Sequence, residues 1–154
     1  MDSLIWCRQQ KHGIELVEPS DNLRTAHLLK AEEALETAKT AKSKDWQITA
    51  AYYALYHSTY ALLMKLGVKC EIHTCTIEFA KRFLSNHLSI EDIDLLTKAF
   101  SARIDAQYYV NRAVPDETYT RIMKQTPAFV VKCKHAVLEE KEVRTIRAAM
   151  AKVV

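Results

Sequence analysis

The chain has 154 residues, 49% hydrophobic and 27% charged, a balance that fills one globular core and is too apolar for a disordered segment. Charge recurs too often for a membrane span, and only 2 glycines and 3 prolines occur, which removes both turn-rich sandwich folds and any chemistry needing a glycine-rich phosphate loop or a GxSxG elbow. The net charge is +3, all of it in residues 115–154, where 8 basic residues meet 5 acidic ones; that surplus reads either as a nucleic-acid footprint or as an ordinary solvated helix face.

The first residues, MDSLIWCRQQKHG, lack an apolar stretch of signal-peptide length, so a cytoplasmic protein without membrane association is expected. Cys7, Cys70, Cys75 and Cys133 are then expected to be reduced thiols, as in most intracellular proteins outside hyperthermophiles. Residues 1–20 read as an irregular arm that ends at the capping pair Ser20 and Asp21. A first helix over about 21–42 follows from Leu28, Ala31, Leu35 and Ala38, spaced by threes and fours. With Asp45 as its expected cap, a second helix runs to Gly67, whose missing Cβ suits a left-handed helix end. Its apolar row is Ile48, Tyr52, Leu55, Thr59, Leu62 and Leu66, and its small row is Ala51, Ala54, Ser58 and Ala61, so this helix belongs at the centre.

Thr74 or Thr76 is expected to cap a third helix through residues 77–87, and Ser89 with Asp92 forms a capping box opening a fourth, with Ile93, Leu96, Phe100 and Ile104 inward. The last segment begins near Pro115, and Pro127 either kinks one helix or starts another. The expected fold is an all-α, antiparallel, up-and-down bundle of four to five helices. Residues 1–20 are its N-terminal arm, 21–139 the bundle, and 140–154 a C-terminal helical extension that packs through Val143, Ile146, Met150 and Val153.

Glu-x-x-His pairs of the kind that hold di-iron centres in bundles do not occur. Cys70, His73 and Cys75 would need Cys7 or Cys133 to complete a zinc site, but the spacing fits no standard template, so no metal or cofactor is expected. His57, set among Tyr52, Tyr53, Tyr56 and Tyr60, is either a core histidine bonded to a tyrosine hydroxyl or part of an aromatic pocket for a nucleotide or phosphate. Lys132, Lys134 and His135 line either a phosphate track or a solvated face.

The central helix AYYALYHSTYALLMKLG (51–67), the link containing His73 and the stretch ARIDAQYY (102–109) together resemble the HEPN superfamily. The likeness is to short, single-domain prokaryotic members, in which a YYA-type helix precedes an Arg and an Ala-Asp-Tyr triplet, here Ala106-Gln107-Tyr108. That resemblance implies a homodimer with a cleft between protomers and, in many members, a metal-independent ribonuclease acting as a toxin beside a nucleotidyltransferase-like antitoxin. The family signature is an Arg followed after four to six residues by a His. The Arg stabilises charge on the phosphate, and the His assists attack by the RNA 2′-hydroxyl or protonates the leaving oxygen.

Here the positions after Arg103 that should hold His are Tyr108, Tyr109 and Val110, and a tyrosine hydroxyl is a poor base at neutral pH. A formal match at Arg82 and His87 lies one helix too early and arises by chance at this content of Arg and His. Arg103, Tyr108 and Tyr109 are the candidate catalytic residues; His57, Gln107, His73 and Tyr53 are the candidate ligand-binding residues. Arg103 and Gln107, one turn apart, either hold an anion or base edge together or leave Arg103 paired with Asp105 or a glutamate on a neighbouring helix. The function expected is an RNA- or nucleotide-associated protein of toxin–antitoxin or defence type, for which binding is better supported than cleavage. The rival expectation is a non-catalytic helical module that pairs with a nucleotidyltransferase or another protein.

Overall fold

The small and apolar rows of residues 44–66 leave almost no polar face, and the segment accordingly becomes the axis of the structure. In the computed structural model, which describes residues 2–154, α3 (Lys44–Leu66) packs against α2 (Asp21–Thr40), α5 (Ile90–Tyr108) and α6 (Asp116–His135). Both predicted rows of α3 are buried from Ile48 to Leu66, including Ser58 and Thr59, whose hydroxyls donate to the carbonyls of Ala54 and Leu55 one turn back. Seven helices are present among the described residues, the others being α1 (Ser3–Gln9), α4 (His73–Phe83) and α7 (Glu140–Ala151). No helix among them is long and apolar enough to cross a membrane.

Side-chain caps open four of the seven helices among the described residues. Ser20 accepts from the Leu23 amide at the start of α2, and Ser89 and Asp92 close a reciprocal capping box on α5. At the end of α3, Gly67 takes φ +71°, and an added Cβ there would lie 2.3 Å from Arg147 Nη1 and 2.4 Å from the Val17 carbonyl oxygen. Arg147 reaches that corner from α7 and donates to the carbonyls of Val17, Leu66 and Gly67, tying the C-terminal helix to the centre. The extension packs as its spacing predicts, with Ile146 and Met150 buried.

Several boundaries differ from expectation. Ser43, not Asp45, caps α3, because its hydroxyl reaches the Trp46 amide while Asp45 sits in the first turn. Neither Thr74 nor Thr76 caps α4; the helix starts earlier, at His73, after Ile72, without a side-chain cap. Pro127 lies inside α6, and the break comes instead at residues 136–139, before α7. The arm is not irregular: α1 is capped by Asp2, whose carboxylate accepts from the Leu4 amide. Next comes a short antiparallel pairing of β1 (Glu15–Leu16) with β2 (Val68–Lys69), in register Glu15 to Lys69 and Leu16 to Val68.

Cysteine chemistry also departs from the all-thiol expectation. Cys7 of α1 and Cys75 of α4 form a disulfide across a Cα–Cα distance of 5.7 Å, leaving Cys70 and Cys133 as free, buried thiols. The bond clamps the arm to the start of α4, and it also removes Cys7 and Cys75 from any zinc site built around Cys70 and His73.

Candidate functional site

Four aromatic rings of one helix face converge with residues from three neighbours. Tyr52 and Tyr56 lie one turn apart on α3, with Tyr53 and His57 one turn apart beside them. Into this face α4 delivers its first residue, His73, and α5 delivers Phe100 and Arg103; His27 approaches from α2. The His73 ring lies flat on Tyr56, with centroids 4.2 Å apart and planes 6° from parallel, and its Nδ1 is 2.5 Å from the Tyr52 hydroxyl oxygen. The Tyr52 side chain is fully buried, and that burial pushes its hydroxyl far above the ordinary tyrosine range, so it stays protonated.

Arg103 is 8% exposed, with its guanidinium carbon 5.0 Å from the Tyr52 ring centroid, 5.5 Å from that of Phe100 and 5.8 Å from that of Tyr53. Its Nε is sealed from solvent without a hydrogen-bond partner. Asp105, an expected partner, instead lies 3.5 Å from Arg112, and no carboxylate pairs with Arg103 among the described residues. The site thus holds a buried cation supported by ring faces and by no counter-charge. An unmet buried donor costs about 1–3 kcal/mol, and the Nε of Arg24 on α2 carries the same cost.

Beyond Tyr53 and Tyr56, the Nδ1 atoms of His27 and His57 stand 3.1 Å apart, so one must donate and the other accept. Burial first, then the neighbouring His27, lowers His57 to about 4; burial and Lys30 lower His27 as well. For His73, burial and the charge of Arg103 act in the same direction. All three imidazoles are therefore neutral at physiological pH. From this cluster an open groove of about 820 Å³ runs between α2 and α3, floored by Ala34 and Ala50 and walled by Trp46, Tyr53, His57 and Gln107. Trp46 is 63% exposed, so its indole face is open to the groove.

Arg103, Tyr53 and His73 therefore meet in one cluster, with His57 and Gln107 continuing into the groove. The two tyrosines at the motif positions do not join them. Tyr108 is 68% exposed at the end of α5, and Tyr109 caps that helix with its ring under Arg112, 3.7 Å from the guanidinium carbon. Within the chain, neither touches the Arg103 cluster. Lys132 pairs with Asp92, and Lys134 lies 2.6 Å from Glu32, so these lysines of α6 form ion pairs rather than an open phosphate track. Sequence reasoning placed Tyr52 and Tyr56 around His57 but not among the candidate ligand-binding residues, and it missed Phe100 and His27 as members of the site. The i, i+4 spacing of Tyr52 and Tyr56 was the available signal, but it also reads as core.

The model of the HEPN domain matches residues 25–142. A "UPF0332 protein" of Archaeoglobus fulgidus is 29% identical over 116 residues, spanning 70% of this chain and 90% of that protein. A protein of Methanocaldococcus jannaschii named "Putative toxin MJ0605" is 30% identical over 114 residues, spanning 71% of this chain and 84% of its own length. The matched region runs from early in α2 to the start of α7 and contains every residue of the aromatic cluster, and with this match the chain belongs to the HEPN domain family.

Proposed function

We propose that this protein is a toxin-type HEPN protein that binds single-stranded RNA, with a backbone phosphate at Arg103 and a neighbouring base in the groove walled by Trp46 and Tyr53. The observation that carries this reading is Arg103 itself, a largely buried guanidinium that rests on three ring faces and lacks a counter-charge. Arginine is suited to the role because its planar fork matches phosphate oxygens. The groove supports the second half: exposed and half-exposed rings beside a cation are the elements with which proteins hold unpaired bases. The similarity to a protein named as a toxin agrees with the reading.

Binding is favoured over cleavage because the family's proton-transfer position is occupied by Tyr108, which stands away from Arg103 within the chain. If cleavage occurs, it needs no metal: attack of the 2′-hydroxyl on phosphorus expels the 5′-oxygen, and the second protomer of a homodimer brings Tyr108 or Tyr109 to the phosphate. The test is binding and cleavage of short, unstructured RNA by wild type and Arg103→Ala, with and without EDTA. The reading requires binding that EDTA leaves intact and that Arg103→Ala weakens at least tenfold, the loss of about one charge-assisted hydrogen bond. Equal binding by the two proteins would refute it.

A second reading has its own observation. Tyr108, Tyr109 and Val110 form an exposed apolar turn after α5, with Val110 fully exposed, which suits a protein interface. In that reading the turn is where a homodimer mate or a nucleotidyltransferase-like antitoxin docks. Tyr109→Ser would then abolish co-purification of the pair without changing RNA affinity of the isolated protein.

A further inference from the structure

We propose that His73, neutral and with its proton on Nε2, is a second anion donor beside Arg103, so that one phosphate is held between a guanidinium from α5 and an imidazole N–H from the start of α4. The inference rests on the RNA-binding reading above and adds a residue outside the Arg-to-His signature. Arg103 and His73 share the same three rings: the His73 centroid lies 5.7 Å from Tyr52, 6.1 Å from Phe100 and 6.3 Å from Tyr53, the rings that also carry the guanidinium. Tyr56 below and Tyr52 at Nδ1 fix the ring's plane and rotation. Its Nε2 has no protein partner, and it is not among the atoms sealed from solvent.

The tautomer follows from what surrounds the Tyr52 hydroxyl. That hydroxyl keeps its proton and must donate it to something, because it is buried. Arg103 offers only donors, so the acceptor within reach is His73 Nδ1. A neutral imidazole that accepts at Nδ1 carries its single proton on Nε2. Tyr52 is therefore a positioning residue: it sets which His73 nitrogen bears the proton, without touching the ligand. The same geometry argues against His73 as the base that removes the 2′-hydroxyl proton, since the nitrogen facing solvent already holds a hydrogen. It also explains why the cluster needs no carboxylate, for the ligand itself supplies the acceptors that Arg103 and His73 lack.

The experiment combines one spectroscopic and one binding measurement. Nitrogen-15 spectra of the imidazoles in the unmodified wild-type protein at neutral pH should show His73 with a protonated Nε2 and a bare Nδ1, and Tyr52→Phe should convert it to a mixture. A wild-type His73 protonated on Nδ1, or on both nitrogens, overturns the proposal without any variant having to fold. Binding is then read with a short oligoribonucleotide, with AMP, adenosine and inorganic phosphate as competitors. His73→Phe should weaken oligonucleotide binding about tenfold, and His73→Gln, which retains an N–H donor, should recover part of it. AMP and inorganic phosphate should compete where adenosine does not; adenosine competing as well as AMP would show that no phosphate is recognised. Loss of binding in Arg103→Ala with none in His73→Phe overturns this inference and leaves the RNA-binding reading standing, whereas no loss in either overturns both.

Discussion

Breaking the Cys7–Cys75 bond perturbs the structure in a way whose size follows from chain topology. The bond joins residues 68 apart in sequence, so it removes from the unfolded ensemble the freedom of a long loop. The chain-entropy relation gives about 15 cal/mol/K for that loop, or about 4 kcal/mol at 25 °C. For a domain of this size, such a loss lowers Tm by about 10 °C. The folded state should survive reduction, because the arm has other holds. Leu4 and Ile14 are buried, β1 pairs with β2, and Asp2 lies 2.7 Å from Arg82.

Both sulfur-bearing side chains are buried, so reductant gains access only when the arm opens. The thermal melt in reductant and that of the Cys7→Ala, Cys75→Ala double variant should agree with each other, both about 10 °C below the unreduced wild type. Thiol titration in denaturant should find two reactive groups, Cys70 and Cys133, before reduction and four after. Four thiols in the unreduced protein, or a Tm insensitive to both treatments, would refute the reasoning.

Acid should destabilise the fold through the histidine cluster. Above pH 6.5 His57 is neutral folded and unfolded and contributes no pH dependence; as pH falls from 6.5 towards 4, the unfolded chain binds the proton first and stability drops. Because the ring is half-buried, the loss is about 1–2 kcal/mol rather than the full linkage value, and the lowered His27 adds in the same direction. Urea midpoints at pH 7.5 and 4.5 should show it, and His57→Gln should reduce the slope; an unchanged slope counts against the paired-imidazole geometry. Gly67→Ala should cost at least about 2 kcal/mol, through both its positive φ and the displacement of Arg147, read as a lower urea midpoint. Phe129→Ala, at 2% exposure in α6, should cost about 3–5 kcal/mol by calorimetry, where a cost under 1 would mean that α6 is not packed as described. Arg103→Met should be neutral or stabilising while RNA binding falls, since a buried, unpaired charge gives way to an apolar side chain of similar length.

Much of the helical frame was readable because its signals are local. Leu28 to Ala38 and Ile48 to Leu66 recur at helical spacing over many turns, and Ser20, Ser89 and Gly67 mark ends through their own side chains or lack of one. Features that depend on distant partners were not readable. The seven residues of α1 are too few to show a period, and β1 finds its partner only after two helices have intervened. The Cys7–Cys75 pairing likewise needs α1 laid against α4. At the site, Arg103, Gln107 and His73 stood out through the family resemblance, and Tyr53 and His57 through residue type. Their grouping was hidden, because His73 meets Arg103 only through the packing of α4 and α5 on one face of α3. Tyr108 and Tyr109, chosen from spacing along the chain, illustrate the converse: α5 ends there, and the rings leave the helix face that carries Arg103.

RNA affinity of Arg103→Ala against wild type, measured in EDTA on protein shown to be folded by its melting transition, tests the central claim most directly. Binding weakened at least tenfold with the fold retained is the expected result. Undiminished binding would mean that the buried guanidinium serves the core and that the ligand, if there is one, sits elsewhere.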